Sequence, residues 1–219
     1  MEARLVFQFQ GIWLPDGEKH FPAWMAQNGE LIDGKGSYQI RKWRACRPWI
    51  TNWHTAVDVG SHVGLWTMHI AREFGFVHCF EPMEVFSRCA FENLKFMNNF
   101  AIYPVALGAE RGEVAMDYRP EDSGNTHVVT GSTTQMRVLD DYDLVEVGFI
   151  KVDCEGTEVA VLAGARRTLE RCRPCVIVEQ KQHKMKQNYG TAGTPAVDLL
   201  RSMGAVLRQE IGGDYILSW

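Results

Sequence analysis

From Thr55 onward the chain alternates short, almost wholly apolar runs with amphipathic stretches, and this pattern narrows the fold more than any other feature. TAVDV (55–59), VHCFE (77–81), AIYPVAL (101–107), FIKVD (149–153) and CVIVE (175–179) read as strands. LWTMHIARE (65–73), VFSRCAFENLKFMNN (85–99), TEVAVLAGARRTLE (157–170) and TPAVDLLRSMG (194–204) read as helices, the last opened by Thr-Pro and closed by Gly. Strands with no polar face must be covered on both sides. A mostly parallel sheet with helices on both faces does this.

Two regions fall outside the alternation. Residues 108–142 hold β-like pieces at Glu113–Tyr118 and Gln135–Leu139 around a polar loop, Pro120–Ser132. A loop that long in a compact domain is expected to be functional or mobile. The first 54 residues hold Trp13, Trp24, Trp43, Trp49 and Trp53, five of the seven tryptophans. Through residue 55 the charge is +2 (seven bases, five acids), against −6 for the rest. Residues 1–54 are therefore read as a cap or substrate region laid on an α/β core at 55–219.

Composition excludes several classes. With 46% hydrophobic and 23% charged residues the chain is neither disordered nor fibrous. A globule of 219 residues removes about 70% of its unfolded surface from water, enough for a core without staples. The net charge of −4 disfavours an obligate nucleic-acid coat. No run of 18 apolar residues suggests a membrane span, and MEARLVFQFQGIW has the wrong flanks for a signal peptide. The six scattered cysteines read as reduced core residues of a cytoplasmic protein. Cys172 and Cys175 have a metal-knuckle spacing but no second half to complete a site.

Chemistry concentrates at strand ends. Asp58-Val-Gly60-Ser61-His62-Val-Gly64 joins the first strand to the first helix, with glycines four apart and an acid two before the first. A dinucleotide fingerprint would read GxGxxG; D-x-G-x-x-x-G is instead the turn of S-adenosylmethionine (SAM) sites, where no pyrophosphate needs neutralising and an acid suits the sulfonium. Seventeen residues after Gly64 the second strand ends in Phe80-Glu81-Pro82. A carboxylate there can accept both ribose hydroxyls, although it could equally cap the next helix. Lys151-Val-Asp153-Cys-Glu155-Gly156 ends a third strand at the same sheet edge, and its two acids can divide acid and base roles. Glu155 alone would also serve as a helix cap. His20, His54, His69 and His78 show no ligand spacing and read as structural.

VDVGSHVGLWT, FEP, RVLDDYDL, IKVDCEGTEVAVLAGA and RPCVIVE, in that order, resemble the FkbM-type methyltransferases over roughly Thr55–Glu179, with a looser match to DYILSW. The family usually has Ala-Asn where this chain has Ser61-His62, which would let His62 turn towards the substrate. The resemblance implies a Rossmann-like class I methyltransferase fold with an antiparallel C-terminal strand. It also implies SAM as cofactor, S-adenosylhomocysteine (SAH) as product, and most often O-methylation. By that resemblance Asp58, Gly60, Ser61, His62 and Gly64 would serve the methionine moiety, and Glu81 with Pro82 the ribose. Val105, Ala106 and Leu107 would flank the adenine, with Asp153 and Glu155 beside the sulfonium.

Candidates for removing the acceptor's proton, in falling order, are Glu155, His183, Lys181 and His127. Asp153 and the tip at Glu179-Gln180 have the hard oxygen ligands a divalent cation prefers; the alternative use of Glu179 is to pin Lys181 or a loop, and the balance falls against a metal. The expected acceptor is a small molecule or saccharide. A nucleotide or nucleic-acid methyltransferase is the rival reading, through Arg41, Lys42, Arg44 and Arg47 interleaved with Trp43. A non-catalytic SAM-binding protein is another, disfavoured by the retained acids.

Overall fold

Pro104 sits in the middle of one expected strand and divides it between two sheets. The computed structural model describes residues 6–180, 190 and 193–219. Its strands are β1 (Val6–Phe9), β2 (Ile12–Pro15), β3 (Leu31–Ile32), β4 (Lys35–Gly36), β5 (Thr55–Val59), β6 (Phe76–Phe80), β7 (Phe100–Tyr103), β8 (Ala106–Leu107), β9 (Gly112–Asp117), β10 (His127–Arg137), β11 (Val147–Val152), β12 (Cys175–Glu179), β13 (Val206–Ile211) and β14 (Asp214–Ser218). The helices are α1 (His20–Asn28), α2 (Ile40–Cys46), α3 (Leu65–Ile70), α4 (Glu84–Leu94), α5 (Glu158–Ala163), α6 (Arg166–Cys172) and α7 (Pro195–Ser202). Before the proline, β7 closes one edge of the main sheet; after it, β8 pairs with β10.

The main sheet has seven strands in the order β7-β6-β5-β11-β12-β14-β13, with only β14 running against its neighbours. The expected parallel sheet and antiparallel C-terminal strand are both present. The reading passed over β13, which joins β14 through Gly212-Gly213. From β5 the chain steps outward through β6 to β7, then returns to start β11 on the other flank of β5. The carboxyl ends of β5 and β11 therefore form a switch point, where ligands bind in open α/β sheets.

Alternate residues of the apolar strands feed different cores. Val57, Val59, Ile150, Val152, Val176 and Val178 pack beneath α5, α6 and α7. Ala56, Phe149, Cys175 and Ile177 face α2 and α3, where Trp43 packs edge-on to Trp53, Trp66 and Phe149. The N-terminal segment contributes Ile12, Leu14, Phe21 and Met25 to a third cluster with α3 and α4.

Boundaries differ from the reading for local reasons. The helix expected over 157–170 breaks at Gly164, where a Cβ would lie 2.1 Å from the Gly108 carbonyl oxygen. The following turn is capped by Asp140, which accepts from Arg167 N, Thr168 N and Thr168 Oγ1. The polar loop shortens to residues 118–126, because the β-branched run after His127 pairs with β9 across a bulge between Val129 and Thr134. All six cysteines are free thiols, four of them buried. No described helix is long and apolar enough to cross a membrane.

Candidate active site

Asp58 and Lys151 are the charged residues of otherwise apolar strands, and they are direct partners in the β5–β11 register. Asp58 has no exposure and Lys151 has 4%. Lys151 Nζ lies 3.2 Å from Asp58 Oδ1 and 3.9 Å from Asp153 Oδ2, and donates to the carbonyls of Gly60 (2.9 Å) and Val59 (3.4 Å). Thr67 Oγ1 donates to Asp58 Oδ2 at 2.7 Å. Burial alone would lower the lysine's pKa; Asp58 and Asp153 outweigh it, so Lys151 is held above its ordinary value as an ammonium. This pair fastens the two strands at the switch point.

Gly60 follows with φ +70°, and a Cβ there would lie 1.9 Å from the Asp153 carbonyl oxygen. Only glycine lets the two strand ends come this close. His62 is also left-handed, at φ +50°, a conformation that Asn and His tolerate better than most residues. Its backbone N–H donates to Glu81 Oε2 and that of Met83 to Glu81 Oε1, both at 2.9 Å. Burial pushes the Glu81 carboxyl up to about 7 despite these two bonds.

The His62 ring turns away from the turn towards the N-terminal segment. It stacks on Phe21 (4.9 Å), meets Phe86 at a tilt (4.2 Å), and its Nε2 lies 2.8 Å from Ser123 Oγ. Ser123 gives its one hydroxyl proton to Glu18, so Nε2 must carry the imidazole proton and Nδ1 is a bare acceptor. Burial, then the charge of Lys151, drop the His62 pKa to about 3. It is a neutral ring at any physiological pH.

The third strand end carries the acids. Asp153, Glu155 and Glu179 each place a carboxylate oxygen within 4.8 Å of the others. Glu155 has φ +55°, and the loop is held in that conformation by Glu158 Oε1, which accepts from Cys154 N (3.0 Å) and Gly156 N (2.9 Å). Glu158 thus braces the loop ahead of α5 rather than capping the helix, and burial raises its own pKa.

These strand ends floor a cavity of about 500 Å³. Of the residues singled out in the sequence, Gly60, Ser61, His62, Glu81, Pro82, Ala106, Leu107, Asp153 and Glu155 line it together. Phe21, Trp24 and Tyr38 add an aromatic wall and Ser123–Thr126 a polar one. Ser61 Oγ, His62 Nδ1 and Thr126 Oγ1 are buried beside it with no hydrogen-bond partner among the described residues. Buried orphans of this kind are costly unless a ligand or water meets them. With the close-packed Gly60 turn and Glu81, they fit a polar nucleoside cofactor.

Three expected residues lie off the cavity wall. Asp58 is not on the cavity wall: strand alternation turns it under α3, where it acts on the site through Lys151. Gly64 is also off the wall; its φ is +80°, and a Cβ there would lie 3.1 Å from Leu94 Cδ1 and 3.3 Å from Ala90 Cβ, which makes it a packing glycine between α3 and α4. His127 points away, although Thr126 and Val128 on either side line the cavity. Its Nδ1 meets the Asn125 carbonyl at 3.1 Å and its Nε2 lies 3.9 Å from Asp117. His183 and Lys181 lie outside the described residues. Lys151, Glu158, Glu18 and Ser123 went unread; for Lys151 the signal was a second lone charge in an apolar strand.

The acidic trio offers hard oxygen donors, yet Lys151 already brings a positive charge to within 3.9 Å of Asp153. Shared with Asp58 at 3.2 Å, that ammonium offsets part of the negative charge of the trio.

The sequence signature of the methyltransferase FkbM domain matches residues 58–207. No protein of curated function matches the chain. Among solved structures, the fold is similar to a methyltransferase FkbM from Methylobacillus flagellatus KT (TM-score 0.51, 17% identity), over 76% of this chain and 43% of that one. This chain thus spans less than half the length of that protein. It is also similar to a precorrin-6y C5,15-methyltransferase from Geobacter metallireducens GS-15 (TM-score 0.50, 14% identity), over 87% of this chain and 90% of that one. A seven-stranded class I methyltransferase sheet, a cofactor-type turn at its switch point and a signature over two thirds of the sequence agree, and the chain belongs to the FkbM methyltransferase domain family.

Proposed function

We propose that this domain transfers a methyl group from SAM to a hydroxyl of a small-molecule or saccharide acceptor. The observation that carries the reading is a single cavity joining the Gly60 turn and Glu81 to a carboxylate cluster and an aromatic wall. Glu81 would accept the ribose hydroxyls on the lone pairs left by two N–H bonds. Gly60 and Ser61 would hold the methionine end, and Val105, Ala106 and Leu107 the base. Bound there, SAM supplies an electrophilic methyl on a sulfonium centre, open to in-line displacement.

The chain's own part is placement, dryness and one proton. Asp153 lies at the floor, where a positive centre is favoured. Phe21, Trp24 and Tyr38 exclude water and offer flat apolar faces to an acceptor ring. Glu155 takes the hydroxyl proton as the oxygen attacks. His62 is the weaker candidate for that role: although its Nδ1 is a bare acceptor, burial holds its pKa near 3.

The basic segment supports a small acceptor over nucleic acid. Lys42 pairs with Asp214 (2.7 Å), Arg44 with Glu30 (2.9 Å) and Arg47 with Glu73 (2.8 Å). Trp43 is buried in the core and cannot stack on a base. Three of the four bases are neutralised within the chain, and the carboxylates facing the cavity repel phosphate.

Glu155→Gln tests the proposal. Turnover in a methyl-label transfer assay over hydroxylated acceptors should fall ~10²–10⁴-fold while SAM affinity holds. Unchanged turnover would remove Glu155 from the chemistry.

A further inference from the structure

The buried contact that joins the N-terminal segment to the rest of the cavity wall is a chain of polar groups: Glu18, Ser123 and His62. Glu18, just before α1, is 3% exposed. Its Oε1 accepts from Phe21 N (2.9 Å), capping the first turn of the helix that carries Phe21 and Trp24. Its Oε2 accepts from Ser123 N (2.8 Å) and from Ser123 Oγ. Ser123, 1% exposed, in turn accepts from His62 Nε2. These residues are 105 and 61 positions apart in sequence.

Three segments that share no secondary structure are thus tied at one point beside the cofactor turn. Charge-assisted bonds to a buried carboxylate are among the stronger hydrogen bonds, so the tie outweighs the loop contacts around it. The periphery is fastened more lightly: Lys19 N donates to Glu121 O (3.1 Å), and their exposed side chains pair at 2.8 Å.

We propose that Glu18–Ser123–His62 is a latch. It holds α1 and the loop 118–126 closed as a roof over the cofactor turn, and its opening gates exchange of the cofactor product. Glu18 and Ser123 are then positioning residues that act through His62, and the roof carries the aromatic wall of the acceptor side with it. The inference rests on the SAM reading of this cavity.

Stopped-flow binding of SAH to the full chain tests both readings separately. A gate limits entry and exit alike, so Glu18→Gln, which weakens both bonds to Ser123 from outside the cavity wall, should raise the association and dissociation rates together by about tenfold, the worth of one to two net hydrogen bonds, leaving Kd within about threefold. The converse variant, Lys19→Cys with Glu121→Cys, staples the roof at its light fastening. When oxidised it should slow SAH exchange at least tenfold, with full recovery under dithiothreitol. It also keeps the test valid if Glu18→Gln folds poorly. A rise in dissociation alone, matched by an equal loss of affinity, would make the network a simple support of ligand contacts and overturn the latch. So would parent-like exchange in the oxidised staple. If the parent binds no SAH, the cofactor reading fails first and the latch with it.

Discussion

Replacing Lys151 by Met should damage the fold before it damages the chemistry. The substitution keeps most of the side-chain volume but removes the positive charge facing Asp58, which has no solvent exposure and no route to water without moving a strand. Leaving one partner of a buried pair uncompensated costs about 3–5 kcal/mol. For 219 residues at about 2.1 cal/mol/K each, the unfolding entropy near the midpoint is about 0.46 kcal/mol/K, so the midpoint should fall by about 7–11 °C. Asp58→Asn combined with Lys151→Met removes both charges. It should recover much of the loss, giving a coupling energy of at least ~1 kcal/mol in a double-mutant cycle. Urea unfolding of the four proteins at pH 7, far below the lysine's raised pKa, measures this directly. Additive losses, or a single variant within about 0.5 kcal/mol of the parent, would refute the claim that this pair fastens β5 to β11.

Glu81 gives a pH signature. Its folded pKa of about 7 lies above the usual carboxylate value, so between about pH 4.5 and 7 the folded state holds more proton than the unfolded one. The Glu81 contribution is therefore unfavourable and grows as pH rises through that window. On the proposed reading, in which Glu81 accepts the ribose hydroxyls as a carboxylate, SAM binding should strengthen over the same range with release of protons; calorimetry in buffers of different ionisation enthalpy reads that release. Gly60→Ala should fail to fold stably, since its Cβ would overlap the Asp153 carbonyl oxygen. Gly34→Ala, at φ +76° in open space, should cost only about 1 kcal/mol by chemical denaturation. Treatment with a chelator should leave methyl transfer intact, because Lys151 already supplies a cation to the acidic cluster; loss of activity restored by Mg²⁺ would reverse that assignment.

Much of the frame was legible because it depends on burial and spacing. Apolar runs at 55–59, 149–153 and 175–179 read as a sheet buried on both faces, and four-spaced glycines with Glu81 seventeen residues on located the crevice. What escaped depended on direction. Asp58 is at the right place in the motif, but a strand reverses its side chains at every residue, and register with β11 decided that it faces Lys151. The same alternation removed His127 from the cavity while its neighbours stayed. The alternative of Glu155 as a helix cap failed on direction too: its backbone is left-handed, and Glu158, three residues later, takes the N–H groups of Cys154 and Gly156 in the loop. Glu18 and Ser123 were illegible: nothing in either local sequence announces a partner 105 residues away.

The break at Pro104 links two parts of the site that look independent. Ala106 and Leu107, on the side proposed for the base, are hydrogen-bonded as β8 to Met136 and Arg137 at one end of β10. The other end of β10, from His127, flows directly into the loop that carries Ser123. One eleven-residue strand is therefore a common beam, with the base-side wall at one end and the roof at the other. Its bulge between Val129 and Thr134 is the place where length can be taken up. Adding or deleting a residue there would slide both walls together, changing how the pocket holds its cofactor and how it closes over an acceptor in a single step.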